Sequence, residues 1–497
     1  MRSFDVAIVG CGPVGATLAN LLGARGVRTL VIEREAEVYR LPRAIHFDGE
    51  CMRVFQAAGI ADELAPELVV SPGMKFIDAD GRLLIDWNRP TRVGPQGWHP
   101  SYRFHQPALE ARLRRRMEAF AHVELRRMHQ AVSIEAGDDD VVMQVEDRTH
   151  GTIGEIRARY VVGCDGARSI VRRTMGSDLV DLDSHERWLV VDVILKRERP
   201  DLGDHSIQFC DPARPATYVR GVGMRRRWEF MLFATEDADE MSRPERIWSL
   251  LSRWVTPDEA VLERPAVYTF HAVVAEGWRN GRLMIAGDAA HQTPPFMGQG
   301  MCAGIRDASN LSWKLAAVVQ GRADEALLDT YESERAPHVR EFITTAVRLG
   351  RVIQTSDPVA ARERNRRMAE RPEVFSTPQP RLGPGAHDDC APAGMIGEQG
   401  RCANGARLDD VAGDDAVLLV GADMRPSIAP HDGVKVVVAD SPSLSDWLRR
   451  LDACAVLIRP DRYVAGVARG PQEIAPVVRR WVDKHFGAMP SASLQTP

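Results

Sequence analysis

Gly10-Cys11-Gly12-Pro13-Val14-Gly15 fits the pattern G-x-G-x-x-G, and its surroundings fit as well. Ahead of it, Asp5–Val9 reads as a buried strand. Behind it, Ala16–Gly26 reads as a helix stopped by Gly26, and Thr29–Glu33 as a second, β-branched parallel strand. In such a unit Gly10 permits a tight turn, Gly12 lets a pyrophosphate approach the backbone, and Gly15 lets helix pack on strand. The helix N-terminus offers N–H groups and partial positive charge to phosphates. Glu33 closes the second strand, where a carboxylate can accept hydrogen bonds from a ribose diol. The opening is therefore a Rossmann-like α/β dinucleotide-binding unit.

Two distant segments narrow the nucleotide to a flavin. In Gly281–His291 a strand runs into a turn with Asp288 at its mouth, where an acid can bind a ribityl hydroxyl. Cys164-Asp165-Gly166-Ala167-Arg168-Ser169 is a second strand-to-turn acid. Either alone would suit a helix N-cap; with the glycine motif they point to FAD. Gly298-Gln299-Gly300 precedes a helix over Met301–Val319, whose N-terminal dipole would favour the negative charge of a reduced flavin. No second G-x-G-x-x-G serves a nicotinamide, since Gly221-Val222-Gly223-Met224 does not continue correctly. NADH and NADPH both stay open as transient co-substrates.

Outward from these motifs, further helices are expected over Gly49–Ala58 and Gln106–Phe120, and strands over Val141–Val145, Tyr160–Val162 and Leu283–Ile285. Between Arg187 and His271 short strand-like runs alternate with Pro, Gly and Asp, which suggests an inserted, mostly antiparallel sheet able to wall a substrate. The expected organisation is a discontinuous FAD domain (1–186 and 272–354), a substrate sheet (187–271) and a connector (355–400). A small α/β domain (401–488) and a tail (489–497) complete it.

The 497 residues carry 44% hydrophobic side chains and a net charge of −5, the profile of a soluble globular protein of two or three domains. That balance gives no reason to expect nucleic acid or an anionic membrane, and the Arg114–Arg116 and Arg225–Arg227 runs read as solvated faces. Asp5 interrupts the first apolar stretch, so it reads as strand rather than signal peptide, and no window suits a membrane span. Eight scattered cysteines without C-x-x-C point to reduced thiols, no metal site and a cytoplasmic setting.

On the three flavin segments, with Pro42-Arg43-Ala44, Val190-Val191-Asp192 and Cys210–Pro215, the chain resembles single-component flavoprotein hydroxylases of the para-hydroxybenzoate and phenol hydroxylase type. Within that group it is most similar to 3-(3-hydroxyphenyl)propanoate hydroxylases. The resemblance implies that Gly10, Gly12, Gly15 and Glu33 hold the adenosine half of FAD, with Arg34 beside it. It sets Arg43 over the pyrophosphate and Gln106 near the flavin. It makes Asp165 and Arg168 the link to the nicotinamide site, and Asp288 the ribityl-binding acid. Pro295, Gly298, Gln299 and Gly300 would border the isoalloxazine. The implied activity is hydroxylation of a phenol, ortho to its hydroxyl, by O₂ and NAD(P)H through a flavin C4a-hydroperoxide. A 3-hydroxyphenylpropanoate-like acid is the expected substrate, with a bulkier polyketide or other secondary metabolite as the alternative. A flavin halogenase or reductase is a weaker reading, because the W-x-W-x-I-P segment of halogenases is missing.

Electrophilic hydroxylation needs an electron-rich ring, so a base near the phenol is expected. Asp48 is the first candidate, at a position where phenol hydroxylase-like relatives place an acid; His46 and His271 follow. Arg214, Arg220 and Arg225 are candidates to anchor a substrate carboxylate. The C-terminal domain resembles the thioredoxin-like appendage of phenol hydroxylase relatives. Lone Cys454 cannot form an internal disulfide, which leaves a packing or homodimer role.

Overall fold

A computed structural model describes residues 3–40, 42–424 and 433–486; the expected tail lies outside the described residues. The first sheet runs in the order Arg279–Asn280, Leu283–Ile285, Thr152–Gly163, Ser3–Val9, Thr29–Glu33, Val123–Arg127. Its four central pairings are parallel, with Ala7 opposite both Val161 and Leu30. Val6, Ala7, Ile8, Leu30, Val31, Val161 and Val162 are fully buried, as expected of strands covered on both faces. Pro13–Ala24 is the crossover helix, and Pro at its first position suits a site with no partner for an N–H. The Gly300–Val319 helix packs against it, and Gly304 makes this close: a Cβ there would stand 2.5 Å from Val14.

A second sheet of nine strands is mostly antiparallel. In it Leu179–Leu195 lies between Ala260–Ala275 and Arg225–Met231, the segment expected from the short alternating runs. The sheet reaches beyond 187–271, however. Gly73–Ile77 pairs in parallel with Ser206–Phe209, Leu83–Asn88 follows, and Glu373–Val374 closes the edge. The stretch expected as a plain connector thus supplies an edge strand and the Pro358–Ala369 helix, capped by Asp357. His46–Asp48, Ser101–Arg103 and Val69–Val70 form a three-stranded antiparallel sheet of their own.

The C-terminal sheet has the order Val434–Ala439, Ala416–Gly421, Ala455–Ile458, Val464–Ala468. Buried ion pairs tie this unit to the flavin domain. Arg53 meets both oxygens of Asp409 at 2.8 and 2.9 Å, and Glu334 accepts from Lys314 and Arg459 at 2.8 Å each. Among the described residues no helix is long and apolar enough to cross a membrane.

Candidate active site

One cavity of ≈ 510 Å³ runs from the glycine loop to the second sheet. The glycines that open it differ in reason. A Cβ on Gly10 (φ +100°) would meet the Cys164 carbonyl at 2.5 Å, and one on Gly15 the Gly10 carbonyl at 2.0 Å. A Cβ on Gly12 would meet nothing within 4 Å. Gly10 and Gly15 are demanded by the protein, whereas Gly12 keeps clear a space beside a helix N-terminus. Asp288 lines the same cavity as an exposed residue, its carboxyl raised by partial loss of hydration there. Gly298, left-handed at φ +64°, and Gly300 and Met301 bring the uncapped N-terminus of the long helix to it.

The remaining expected cofactor residues act from different places. Glu33 accepts from the Cys11 N–H at 2.8 Å and so braces the glycine loop. Gln106 lines the cavity, and its Oε1 accepts from the backbone N–H groups of Arg43 and Ala44 at 2.8 and 2.7 Å. Arg227 donates to the carbonyls of Arg43 and Pro42, so the Arg43 loop is held from two sides. One oxygen of Asp165 caps the Ile170–Met175 helix; the other is buried with no partner. Arg34 and Arg168 are exposed and do not line the cavity, and Pro295 does. The Gln299 side chain turns inward: it donates to Asp48 at 3.2 Å and accepts from Arg306 at 3.1 Å.

The three candidate bases have unequal surroundings. Asp48 does not line the cavity. It caps the Gly49–Ala57 helix through the Cys51 N–H and pairs with Arg306 at 2.5 Å. Burial alone would raise its carboxyl, but the Arg306 guanidinium, the Cys51 N–H and His46 together hold it at about 2. Asp48 is thus a spent acceptor, and that geometry argues against it as the base. Asp48, Cys51 and Cys302 also bring three ligand-type atoms within 4.8 Å of one another. Arg306 already fills the carboxylate, and burial keeps the Cys51 thiol protonated. His46 lines the cavity. Its Nδ1 faces the Gly298 carbonyl at 3.2 Å, which can only accept, so Nδ1 carries the proton. Nε2 then accepts from Arg89 at 2.6 Å, and burial with the Arg89 charge pushes the imidazole down to about 3. His271 is half-buried on the rim, its Nδ1 2.7 Å from Nδ1 of cross-strand His185.

A family model for an FAD binding domain matches residues 3–346. A probable NADH-specific resorcinol 4-hydroxylase from Rhodococcus jostii (strain RHA1) is 37% identical over 97% of this chain and 95% of its own length. The chain belongs to this family of flavoprotein aromatic hydroxylases. A 3-(3-hydroxy-phenyl)propionate/3-hydroxycinnamic acid hydroxylase from Mycobacterium sp. (strain JLS) is also 37% identical, over 93% of this chain and 89% of its length. The solved structure of an aklavinone-11 hydroxylase with FAD and aklavinone shares the fold. Its TM-score is 0.81 at 24% identity, over 97% of this chain and 99% of that one.

The residues of this hydroxylase fit FAD. The space a Gly12 Cβ would take, the orphaned Asp165 oxygen and the exposed Asp288 carboxyl on the cavity wall are features the protein alone leaves without use. The substrate end departs from expectation. Arg214 pairs with Glu236 at 2.6 Å, Arg220 with Asp204 and Arg225 with Glu263 at 3.2 Å; none lines the cavity. Arg89, Arg103, Gln208, Thr217, Glu229 and Tyr268 line it instead. Glu229, on the Arg225–Met231 strand, is raised by burial and only distantly opposed by Arg227 at 3.9 Å.

Proposed function

We propose that this flavoprotein hydroxylase takes electrons from NADH and adds one oxygen atom to a small phenol, ortho to its hydroxyl. The cavity carries the reading, because it joins the cofactor loop to a polar, partly cationic substrate wall. NADH is favoured by the name of the resorcinol 4-hydroxylase relative, and a phenol of resorcinol or 3-hydroxyphenylpropanoate size by both curated relatives. The bulkier polyketide alternative draws only on a likeness of fold.

Bound FAD would supply hydride acceptance and oxygen activation. Gly10, Gly12 and Gly15 would cradle its pyrophosphate, Glu33 and Arg34 its adenosine half, and Asp288 its ribityl chain. Gln106 and Arg227 hold the Arg43 loop against it. The first-turn N–H groups of Gly300 and Met301 would stabilise negative charge where reduced flavin carries it. Asp48 and Gln299 act as positioning residues, joined through Arg306 behind that turn. Neutral His46 links the turn to Arg89, and Asp165 with Arg168 would border the nicotinamide.

The domains of this reading are the flavin unit, the substrate sheet, which draws in Gly73–Ile77, Leu83–Asn88 and Glu373–Val374 besides 187–271, and the C-terminal unit 401–488. The C-terminal strand order, with one parallel pair and two antiparallel ones, supports a thioredoxin-like unit in a packing role. Eight unpaired cysteines favour a cytoplasmic setting. The test is stopped-flow reduction of the FAD-loaded enzyme by NADH. Resorcinol or 3-(3-hydroxyphenyl)propanoate should accelerate flavin bleaching; no acceleration by any phenol would refute the assignment.

A further inference from the structure

Buried guanidiniums in this protein are matched with care. Arg53, Arg227, Arg306, Arg335 and Arg459 each meet a carboxylate, while Arg172, Arg226 and Arg364 spend their hydrogens on backbone carbonyls. Two arginines on the cavity wall are different. Arg103 is 1% exposed; its Nη2 donates to the Asp204 carbonyl, and its Nη1 is buried with no partner. Arg89 is 8% exposed, donates through Nη1 to His46 and Ser101, and stacks 4.3 Å from the Trp87 ring. Neither forms an ion pair among the described residues.

Their neighbours do not neutralise them. Arg89 feels Asp48, but that carboxylate is already paired with Arg306. Arg103 feels Arg220, Arg226 and Arg89, all of its own sign, and the Tyr218 hydroxyl. Burial pushes both guanidiniums down to about 10, as expected where no anion compensates the lost hydration. Two adjacent buried cations that open on a cavity are costly unless an anion enters it.

We propose that Arg89 and Arg103 form an oxyanion subsite for the substrate, and that the oxygen it takes is the ionised phenol. The inference rests on the hydroxylase reading and deepens it. Position favours the phenolic oxygen over a tail carboxylate. Arg89 lies one imidazole away from the Gly298 turn, since His46 bonds both. Hydroxylation ortho to an oxygen requires that oxygen beside the reacting carbon, hence near this turn, whereas a propanoate tail would lie farther off. The phenol proton leaves to solvent as the phenolate enters. His46 does not keep it, because its free nitrogen already accepts from Arg89. The subsite would thereby activate the ring without a dedicated base: two fixed positive charges lower the cost of the anion itself.

The test uses FAD-loaded enzyme and two ligands, resorcinol and 3-(3-hydroxyphenyl)propanoate. Dissociation constants come from flavin absorbance, and the ionisation of bound ligand from its ultraviolet phenolate band. Wild type should show the band at least about one pH unit below the ordinary phenol value of about 10. Arg103→Met should keep its FAD, lose the band and weaken both ligands by about tenfold or more. Arg103→Lys should recover part of both. Should Arg103→Met fail to load FAD, Arg103→Gln and Arg89→Met replace it. A loss confined to the propanoate would keep the oxyanion subsite and assign it to the tail carboxylate. Unchanged affinity and band for both ligands would overturn the proposal while leaving the hydroxylase reading intact. Failure of wild type to bind either phenol would overturn both.

Discussion

Substituting Gly12 and Gly15 by alanine should separate cofactor binding from folding. At Gly12 the backbone has φ −73°, ordinary for alanine, and the new methyl meets no protein atom within 4 Å. The apo fold therefore loses nothing, and restraint of the unfolded chain adds roughly 0.4–1 kcal/mol of stability. The methyl instead enters the space beside the helix N-terminus. Losing one hydrogen bond to a charged phosphate costs about 1.5–3 kcal/mol, or roughly tenfold to 150-fold in Kd for FAD. At Gly15 the methyl would stand 2.0 Å from the Gly10 carbonyl and 3.1 Å from Cys164 Cβ. Helix and strand must part, at about 1–3 kcal/mol or more. Thermal melts of flavin-stripped protein and fluorescence titration with FAD measure the two effects. Gly12→Ala should melt no lower than wild type yet bind FAD weakly; Gly15→Ala should melt lower even without FAD. Wild-type FAD affinity in Gly12→Ala would refute the reasoning.

Other outcomes follow from the same geometry. Gln106→Leu removes the acceptor shared by the Arg43 and Ala44 N–H groups and should weaken FAD by about tenfold in the same titration. Glu334→Gln leaves buried Lys314 and Arg459 without their shared carboxylate, a loss of about 3–5 kcal/mol. It should lower the melting temperature and expose the C-terminal unit to limited proteolysis. His46 is held neutral down to about 3, so between pH 6.5 and 3 the unfolded chain binds a proton that the folded one does not. Its contribution to stability is flat above pH 6.5 and falls as the pH drops through that window. Melts of His46→Gln should show a shallower acid decline than wild type.

The glycine loop and the strands around it were legible because their rules are local. Gly10 to Gly15, Glu33 and Leu283–Ile285 are dictated by the turns and strands on which they sit. The substrate half was not, because long-range pairing makes it. Arg89 stands between Asn88 and Pro90 in a stretch without periodicity, and it reaches His46 only once Leu83–Asn88 joins the second sheet. Arg103 owes its place to register, opposite His46 on a three-residue strand. Arg214, Arg220 and Arg225 satisfied the same chemical expectation on the inserted strands, but local carboxylates claim them. Asp48 lies off the cavity lining and loses the expected freedom to Arg306, a partner far away in sequence. The Pro358–Ala369 helix did carry a signal, an aspartate cap followed by proline, hidden in an arginine-rich run without an apolar stripe.

The central claim is that the cavity transfers one atom of O₂ to a phenol. Turnover of the FAD-loaded enzyme with NADH, resorcinol or 3-(3-hydroxyphenyl)propanoate and ¹⁸O₂, read by mass spectrometry of the product, tests it directly. The account predicts a ring-hydroxylated product carrying a single ¹⁸O. NADH consumed with every tested phenol recovered unlabelled and unchanged would contradict it.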